Sequence, residues 1–148
     1  MSYYIHKVSN ASEQRQALTV RHDVFVVEQN VPSEEEFDAF EDLAVHFVAL
    51  DAGGQGCGAA RWRITADGVK LERFAVSKSH RGKGVGRDLV QAVLDDIASH
   101  HKARQMQHYL YAQVYAIPFY ARFGFVPYGE RFNECNIEHQ AMEMAPPA

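Results

Sequence analysis

Two cysteines in 148 residues, Cys57 and Cys135, are too few and too far apart for a disulfide framework, and no Cys or His spacing matches a zinc site. A reducing compartment is the expectation that follows, with no metal. No apolar run approaches the ~18 residues of a membrane span, and the opening MSYYIHKVSN lacks the basic stretch and apolar block of a secretory leader. We therefore expect a soluble, cytoplasmic protein with no membrane partner. An excess of positive charge is missing too. Fifteen Lys+Arg against 19 Asp+Glu give a formal net charge of −4, which excludes a general nucleic-acid binder because affinity for a polyphosphate backbone needs a basic surface. Any basic patch must be local. Repeats, low-complexity tracts and linker-like stretches are absent as well, so one domain over residues 1–148 is expected.

What is present is an ordinary globular composition, 47% hydrophobic and 23% charged, enough for one substantial core. Tyr3 to Val8 alternates apolar and polar residues as a short strand does. Asn10, three residues before Glu13, marks a helix start, after which Leu18, Arg21, Val24 and Phe25 recur at helical spacing. The acidic segment SEEEFDAFED, with Phe37 and Phe40 on one face of a short turn, reads either as a solvated loop or as part of a pocket rim. His46–Asp51, Cys57–Thr65 and Val69–Val76 form an antiparallel meander, the first two joined by GGQG. Val85, Leu89, Val93 and Ile97 make the buried stripe of an amphipathic helix. Tyr109–Val114 is a central strand, and Pro118 and Gly124 bracket a short helix. Phe125–Phe132 and Ile137–Met144 supply two last strands around a turn at Asn133–Asn136, and the tail APPA is expected to fray. The order implies an α/β fold with a mixed, mostly antiparallel central sheet flanked by helices.

The most informative stretch is HRGKGVGRDLV, His80 to Val90. Glycines stand at 82, 84 and 86 and cations at 81, 83 and 87, directly ahead of the helix. The first amides of a helix have no partner within it and carry the positive end of its dipole. Glycines there let bare N–H groups close on an anion, and Arg81, Lys83 and Arg87 add charge-assisted bonds. A P-loop does not fit, because Gly84 follows Lys83 where Ser or Thr would hold magnesium. The dinucleotide fingerprint does not fit either, since Gly86 follows Gly84 by two residues rather than three.

Arg81, Gly82, Lys83, Gly84, Val85 and Gly86 do spell the Arg/Gln-x-x-Gly-x-Gly/Ala pattern of the GNAT N-acetyltransferases, whose loop grips the pyrophosphate of acetyl-CoA. LERFAV resembles the strand ahead of that loop, and AIPFYARFGF is similar to the helix-and-strand signature downstream. RHDVFVVEQNVP, DLAVHF and GERFNECNIEH further resemble the ElaA-type branch. The resemblance implies a GNAT-like sheet splayed at the acetyl-CoA site and N-acetylation of a primary amine on a small molecule, peptide or protein. A homodimer is left open. So are two rival activities: a non-catalytic acyl-CoA-binding regulatory module and a transferase using another acyl-CoA.

The resemblance also distributes roles. Tyr120 is the expected acid for the departing thiolate, against the alternative of an aromatic packed between Phe119 and Phe123. Glu72 is the expected base, against the alternative of an ion pair with Arg73 or a neighbouring cation. The main chain at Phe74, Ala75 and Val76 is expected to bond the pantetheine amides, and the loop Arg81, Gly82, Lys83, Gly84, Val85, Gly86 and Arg87 the pyrophosphate. Gln113 stands where many members have an asparagine that contacts the cosubstrate, and ECNIEH departs from the Gly-Ile-Pro-His character of the branch. His46 and His139 are secondary candidates for the acceptor site. Neither cysteine has a sequence-adjacent histidine that would signal a nucleophile, so direct attack on the thioester is expected rather than an acyl-enzyme, with Cys135 left open because it lies near His139 in a segment expected to approach the pocket.

Overall fold

Strand alternation decides how the centre of the molecule is built. Between Val45 and Asp51 (β2), Phe47 and Ala49 fall into one buried cluster and Val48 into another, so both faces of the strand are covered. The computed structural model describes residues 2–146, so Pro147 and Ala148 of the tail expected to fray lie outside the described residues. The other strands are Tyr3–Lys7 (β1), Gly56–Thr65 (β3), Gly68–Val76 (β4), His108–Gln113 (β5), Val126–Pro127 (β6), Phe132–Glu134 (β7) and Ile137–Met144 (β8). They form one sheet in the order β1-β2-β3-β4-β5-β8-β6, with β7 also on β8. Every pairing is antiparallel except β4 with β5. The fold is thus the mixed, mostly antiparallel α/β sheet flanked by helices that the pattern implies.

One helix covers each face. Ala11–Arg21 (α1) starts where Asn10 accepts from the Glu13 amide at 2.8 Å while Glu13 accepts from the Ser9 amide at 2.9 Å, a reciprocal cap. It packs Ala17 and Val20 against the small side chains of Val48, Ala59 and Ala75. Val85–Ser99 (α3) buries Val85, Leu89, Val90, Val93 and Ile97, its stripe meeting Phe47, Trp62 and Leu71 on the other face. Gly58 in β3 permits the approach, since a Cβ there would sit 2.9 Å from side-chain carbons of both Val85 and Leu89. The last strand expectation is corrected. Phe125–Phe132 is not one strand but the two-residue β6, then a reversal through Gly129 with φ +71°, and β7 begins only at Phe132. The turn lies at Cys135 and Asn136, both left-handed.

After Arg21 the first helix continues as a wider π-helical stretch over His22–Glu28, a geometry associated with functional sites. It leads to the acidic segment, where Ser33–Glu36 form a single turn (α2). The segment is not a solvated loop, because three of its acids face inward. Arg61, fully buried in β3, reaches Asp38 at 2.6 Å, Glu41 at 3.0 Å and Glu72 at 2.7 Å. Arg21, equally buried, bonds Glu36 and Glu41, both at 2.8 Å. Phe37 and Phe40 do not share a face: Arg21 lies over the first ring and Arg63 over the second.

Burial alone would raise the Asp38 and Glu41 carboxyls, but hydrogen bonds from Arg61 and Arg21 outweigh it and bring both down to about 2. Carboxyls with folded values below their unfolded ones, about 4, stabilise the fold fully above that range. Stability is therefore expected to fall as pH drops from about 4 towards about 2, measurable by denaturant titration. Arg61→Met, which strands three acids, is expected to lower stability by about 3–5 kcal/mol near neutral pH and to flatten that acid limb.

Candidate active site

β4 pairs with β5 only at Val69↔His108 and Lys70↔Tyr109. Beyond Leu71 the two strands separate, leaving the β5-side main chain of β4 without a neighbouring strand. The separation coincides with a bulge: Arg61 opposes Glu72 and Ala59 opposes Ala75, so three steps on β4 match two on β3. Arg73 occupies the extra position at φ +61°, a left-handed conformation costly for a side chain with a Cβ. Its guanidinium is held by Glu36 at 3.2 Å and Asp38 at 3.1 Å. The acidic segment thus pins the bulge that opens the sheet.

The opening leads into a cleft of about 1240 Å³, larger than the roughly 300–1,000 Å³ typical of a small-ligand pocket. Glu72, Phe74, Ala75, Val76, Arg81, Gly82, Gly84, Val85, Gly86, Arg87, Gln113, Tyr120 and His139 all line it. Lys83 and His46 do not. The Lys83 side chain is exposed beside the loop. His46 is buried, its Nε2 donating to the Glu41 carbonyl at 2.7 Å. Burial holds its pKa below the ordinary value, and it anchors the acidic segment as a neutral ring rather than facing an acceptor.

At one end of the cleft the chain leaves β4 and turns into α3. Gly84 caps the helix at φ +89° with no side-chain cap bond, so the first amides of α3 are free for an anion. Gly82 is also left-handed, φ +77°, with open space in front of it. Arg81 donates to the Val76 carbonyl at 3.0 Å and pairs with Glu28 of the π-helical stretch at 2.8 Å. These two contacts hold the Arg81 guanidinium along the loop. Arg87 pairs with Asp88 at 3.2 Å, and Asp88 also accepts from the Tyr3 hydroxyl.

Tyr120 stands on Ile117–Ala121 (α4), which Pro118 opens and Gly124 follows, as expected. Its ring meets Phe74, Phe119 and Phe125 edge-on at centroid distances of 5.9, 5.1 and 6.5 Å. Burial, reinforced by Tyr115, pushes its phenol well above the ordinary tyrosine range, so it is a proton donor at any physiological pH. The ring packs among these aromatics, and the residue also lines the cleft. Gln113, at the end of β5, donates to Gln29 at 2.8 Å, tying the cleft floor to the π-helical stretch.

Glu72 is placed differently from a free base. Its carboxylate lies 2.7 Å from Arg61, 2.7 Å from Arg63 and 3.3 Å from Lys70. Burial would raise its pKa, but Arg61, then Arg63 and Lys70, drive it below the ordinary value. A carboxylate so held is a weak proton acceptor. The partners are these three cations, not Arg73. Both thiols are raised chiefly by burial, which keeps Cys57 and Cys135 protonated.

Two cleft residues, Arg73 and His80, and Glu28 beside the loop were not singled out as site residues by the sequence. Glu28 and Arg73 act through partners 53 and 35 residues away, and no local pattern marks such pairs. His80 is buried with Nδ1 at 2.9 Å from the Ser79 hydroxyl and Nε2 unpartnered. Its place beside Arg81 was the available signal. Among the described residues no group of three or more His, Cys, Asp or Glu is placed to hold a metal, and no helix is long and apolar enough to cross a membrane.

The glycines separate experimentally. Gly84→Ala is expected to destabilise the protein by about 1–2 kcal/mol, because φ +89° disfavours a Cβ, which would also meet Arg87 at 2.7 Å. Gly86→Ala is expected to be neutral or to stabilise by about 0.5 kcal/mol, since it lies in α3 and its Cβ would make an ordinary 3.5 Å contact with Phe119. Thermal melts of the two variants check the contrast.

Comparison with known proteins agrees with this geometry. The acetyltransferase (GNAT) domain family matches residues 6–146. The chain is 41% identical over 134 residues to the Bacillus subtilis (strain 168) protein named uncharacterized N-acetyltransferase YjcF, covering 90% of this chain and 93% of that one. It is 32% identical over 142 residues to the Escherichia coli (strain K12) protein ElaA, covering 93% and 90% of the two chains. The crystal structure of E. coli ElaA superposes with a TM-score of 0.82 at 30% identity, over 97% of this chain and 99% of that one. An acyl-CoA N-acyltransferase from Pseudomonas aeruginosa superposes with a TM-score of 0.84 at 27% identity and the same coverages. With the opened β4 edge, the capless α3 N-terminus and the matched family spanning nearly the whole chain, this protein belongs to the GNAT acetyltransferase family.

Proposed function

We propose that the protein transfers an acetyl group from acetyl-CoA directly to a primary amine. The observation that carries this reading is a single cleft shared by three features: the glycine-cation loop at the start of α3, the unpaired edge of β4, and Tyr120. An anionic diphosphate belongs on the first, where free amides, the helix dipole and Arg81 converge. A pantetheine arm bonds the second as an added strand would, through the main chain of Phe74, Ala75 and Val76. One of those amides polarises the thioester carbonyl as charge develops on it.

Tyr120 donates its proton to the departing thiolate, within an aromatic wall that keeps bulk water off the sulfur. Glu72 holds Arg61, Arg63 and Lys70 in place rather than removing the amine proton. The raised thiols of Cys57 and Cys135 favour direct transfer over an acyl-enzyme. At the far end of the cleft Glu35 and Glu134 remain exposed, while Glu36, Asp38 and Glu41 are neutralised by arginines. That end suits a positively charged amine entering as its ammonium.

The test is a panel of amines read by free-thiol release from acetyl-CoA. Saturable turnover on one amine class is expected. Tyr120→Phe is expected to lower kcat about 100- to 1,000-fold with unchanged CoA affinity by calorimetry. Tight CoA binding with no turnover on any amine would leave a binding module in place of the enzyme.

A further inference from the structure

We propose that His139 is the general base of the transfer, taking a proton from the acceptor ammonium at Nε2. The inference rests on the acetyltransferase reading above and supplies the group that reading lacks. His139 Nδ1 lies 2.7 Å from the carbonyl oxygen of Ile137 on the same strand. A carbonyl only accepts, so Nδ1 carries a proton, and Nε2 on the other edge is the ring position left to take one from the acceptor. The ring is stacked on Phe132, centroids 5.7 Å apart and planes 20° from parallel, which fixes the direction of that edge.

Register places the ring usefully. His139 opposes Gln113 across β5 and β8, and directly opposed residues project from the same face; both line the cleft. β5 is the strand from which β4 has separated, so His139 stands one strand beyond the opening, on the side away from β4. An amine reaching a thioester in that opening passes the ring.

His80, whose Nε2 is also unpartnered, lies beside the loop at Arg81 rather than at this end of the cleft, and the candidates near His139 are committed elsewhere or well hydrated. Glu72 is clamped by three cations, and Glu36 is held by Arg21 and Arg73. The Tyr111 ring carries the Lys70 ammonium 4.3 Å from its centre. Glu35 and Glu134 are exposed to solvent, with no fixed partner to orient them towards an acceptor among the described residues. Cys135 keeps its proton. These groups, with Arg73 and with Glu138 on β8 itself, are the titratable neighbours at this end of the cleft.

The protons balance. Nε2 takes one from the ammonium, and the freed amine forms the C–N bond and pushes an electron pair onto the carbonyl oxygen. Its return breaks the C–S bond, and the thiolate takes the Tyr120 proton. The amide nitrogen gives its surplus proton back to the Tyr120 oxygen, and the imidazolium releases its own to solvent. One amide, one thiol and one proton leave.

The test uses the intact protein with acetyl-CoA and two probe amines, spermidine and a short lysine-containing peptide, by thiol release across pH. His139→Asn retains an N–H donor where Nδ1 bonds Ile137 but has no base; His139→Gln places an amide near Nε2 without a lone pair of comparable basicity. Both are expected to lower kcat about 100-fold or more while CoA affinity stays within about twofold. The amine's own titration is common to all forms and cancels in the ratio of wild type to variant. That ratio is expected to vary with pH, because a base at this position takes part only in the wild type. Wild-type kcat and a pH-independent ratio in His139→Asn would overturn the proposal, leaving the ring a packing partner of Phe132 while the transferase reading stands. A wild-type protein that binds CoA but acetylates neither probe would instead overturn the transferase reading and His139 with it.

Discussion

The architecture depends on a charge that water never reaches. Arg61 sits at 0% exposure in the middle of the sheet with its guanidinium among Asp38, Glu41 and Glu72. Moving such an ion out of water costs several kcal/mol, and only carboxylates in good geometry offset it. Two of the three come from the acidic segment, so that segment must fold down onto β3 or leave the charge unanswered. Arg21 imposes the same demand through Glu36 and Glu41. A stretch that would otherwise wander in solvent is thereby fixed as one wall of the cleft.

The same network reaches the chemistry through Arg73. A left-handed arginine in a strand is unfavourable by about 1–3 kcal/mol and persists only where its surroundings hold it. Glu36 and Asp38, themselves tied to Arg21 and Arg61, hold this one. The bulge at Arg73 follows directly after β4 leaves β5, so the buried pairs hold the backbone that borders the gap. Glu72, adjacent in sequence, is consumed by the same charge balance, which explains why a carboxylate lining the cleft is poorly suited to accept a proton.

Local rules made much of this legible. The Asn10–Glu13 cap, the Val85–Ile97 stripe and the Pro118–Gly124 bracket each state a boundary in a few adjacent residues, and each boundary lies where those residues put it. The glycine-cation loop was legible because anion binding at a helix start needs backbone features that a short run can spell. What could not be read was long-range. SEEEFDAFED looks the same whether its acids meet water or Arg61, and nothing near Glu72 announces that Arg61 and Arg63 will turn towards it. His46 and His139 are equivalent as letters. One is buried against the Glu41 carbonyl and the other lines the cleft, a difference set by strand register alone.

A chain of net charge −4 that takes a polyanionic cosubstrate must keep its attraction local. The cleft does so by separating signs along its length. At one end the dipole of α3 adds to Arg81 and Arg87, with Glu28 and Asp88 as the only acids paired to them among the described residues. At the other, Glu35 and Glu134 face solvent, and the acids between are cancelled by arginines. At physiological salt, exposed charges further apart than the Debye length of about 8 Å are largely screened from one another. The loop presents positive charge and the rim negative charge, each with few opposing groups beside it. The mild overall acidity therefore costs the anion site little, and the buried network that shapes the cleft also keeps its own charges from blurring that division.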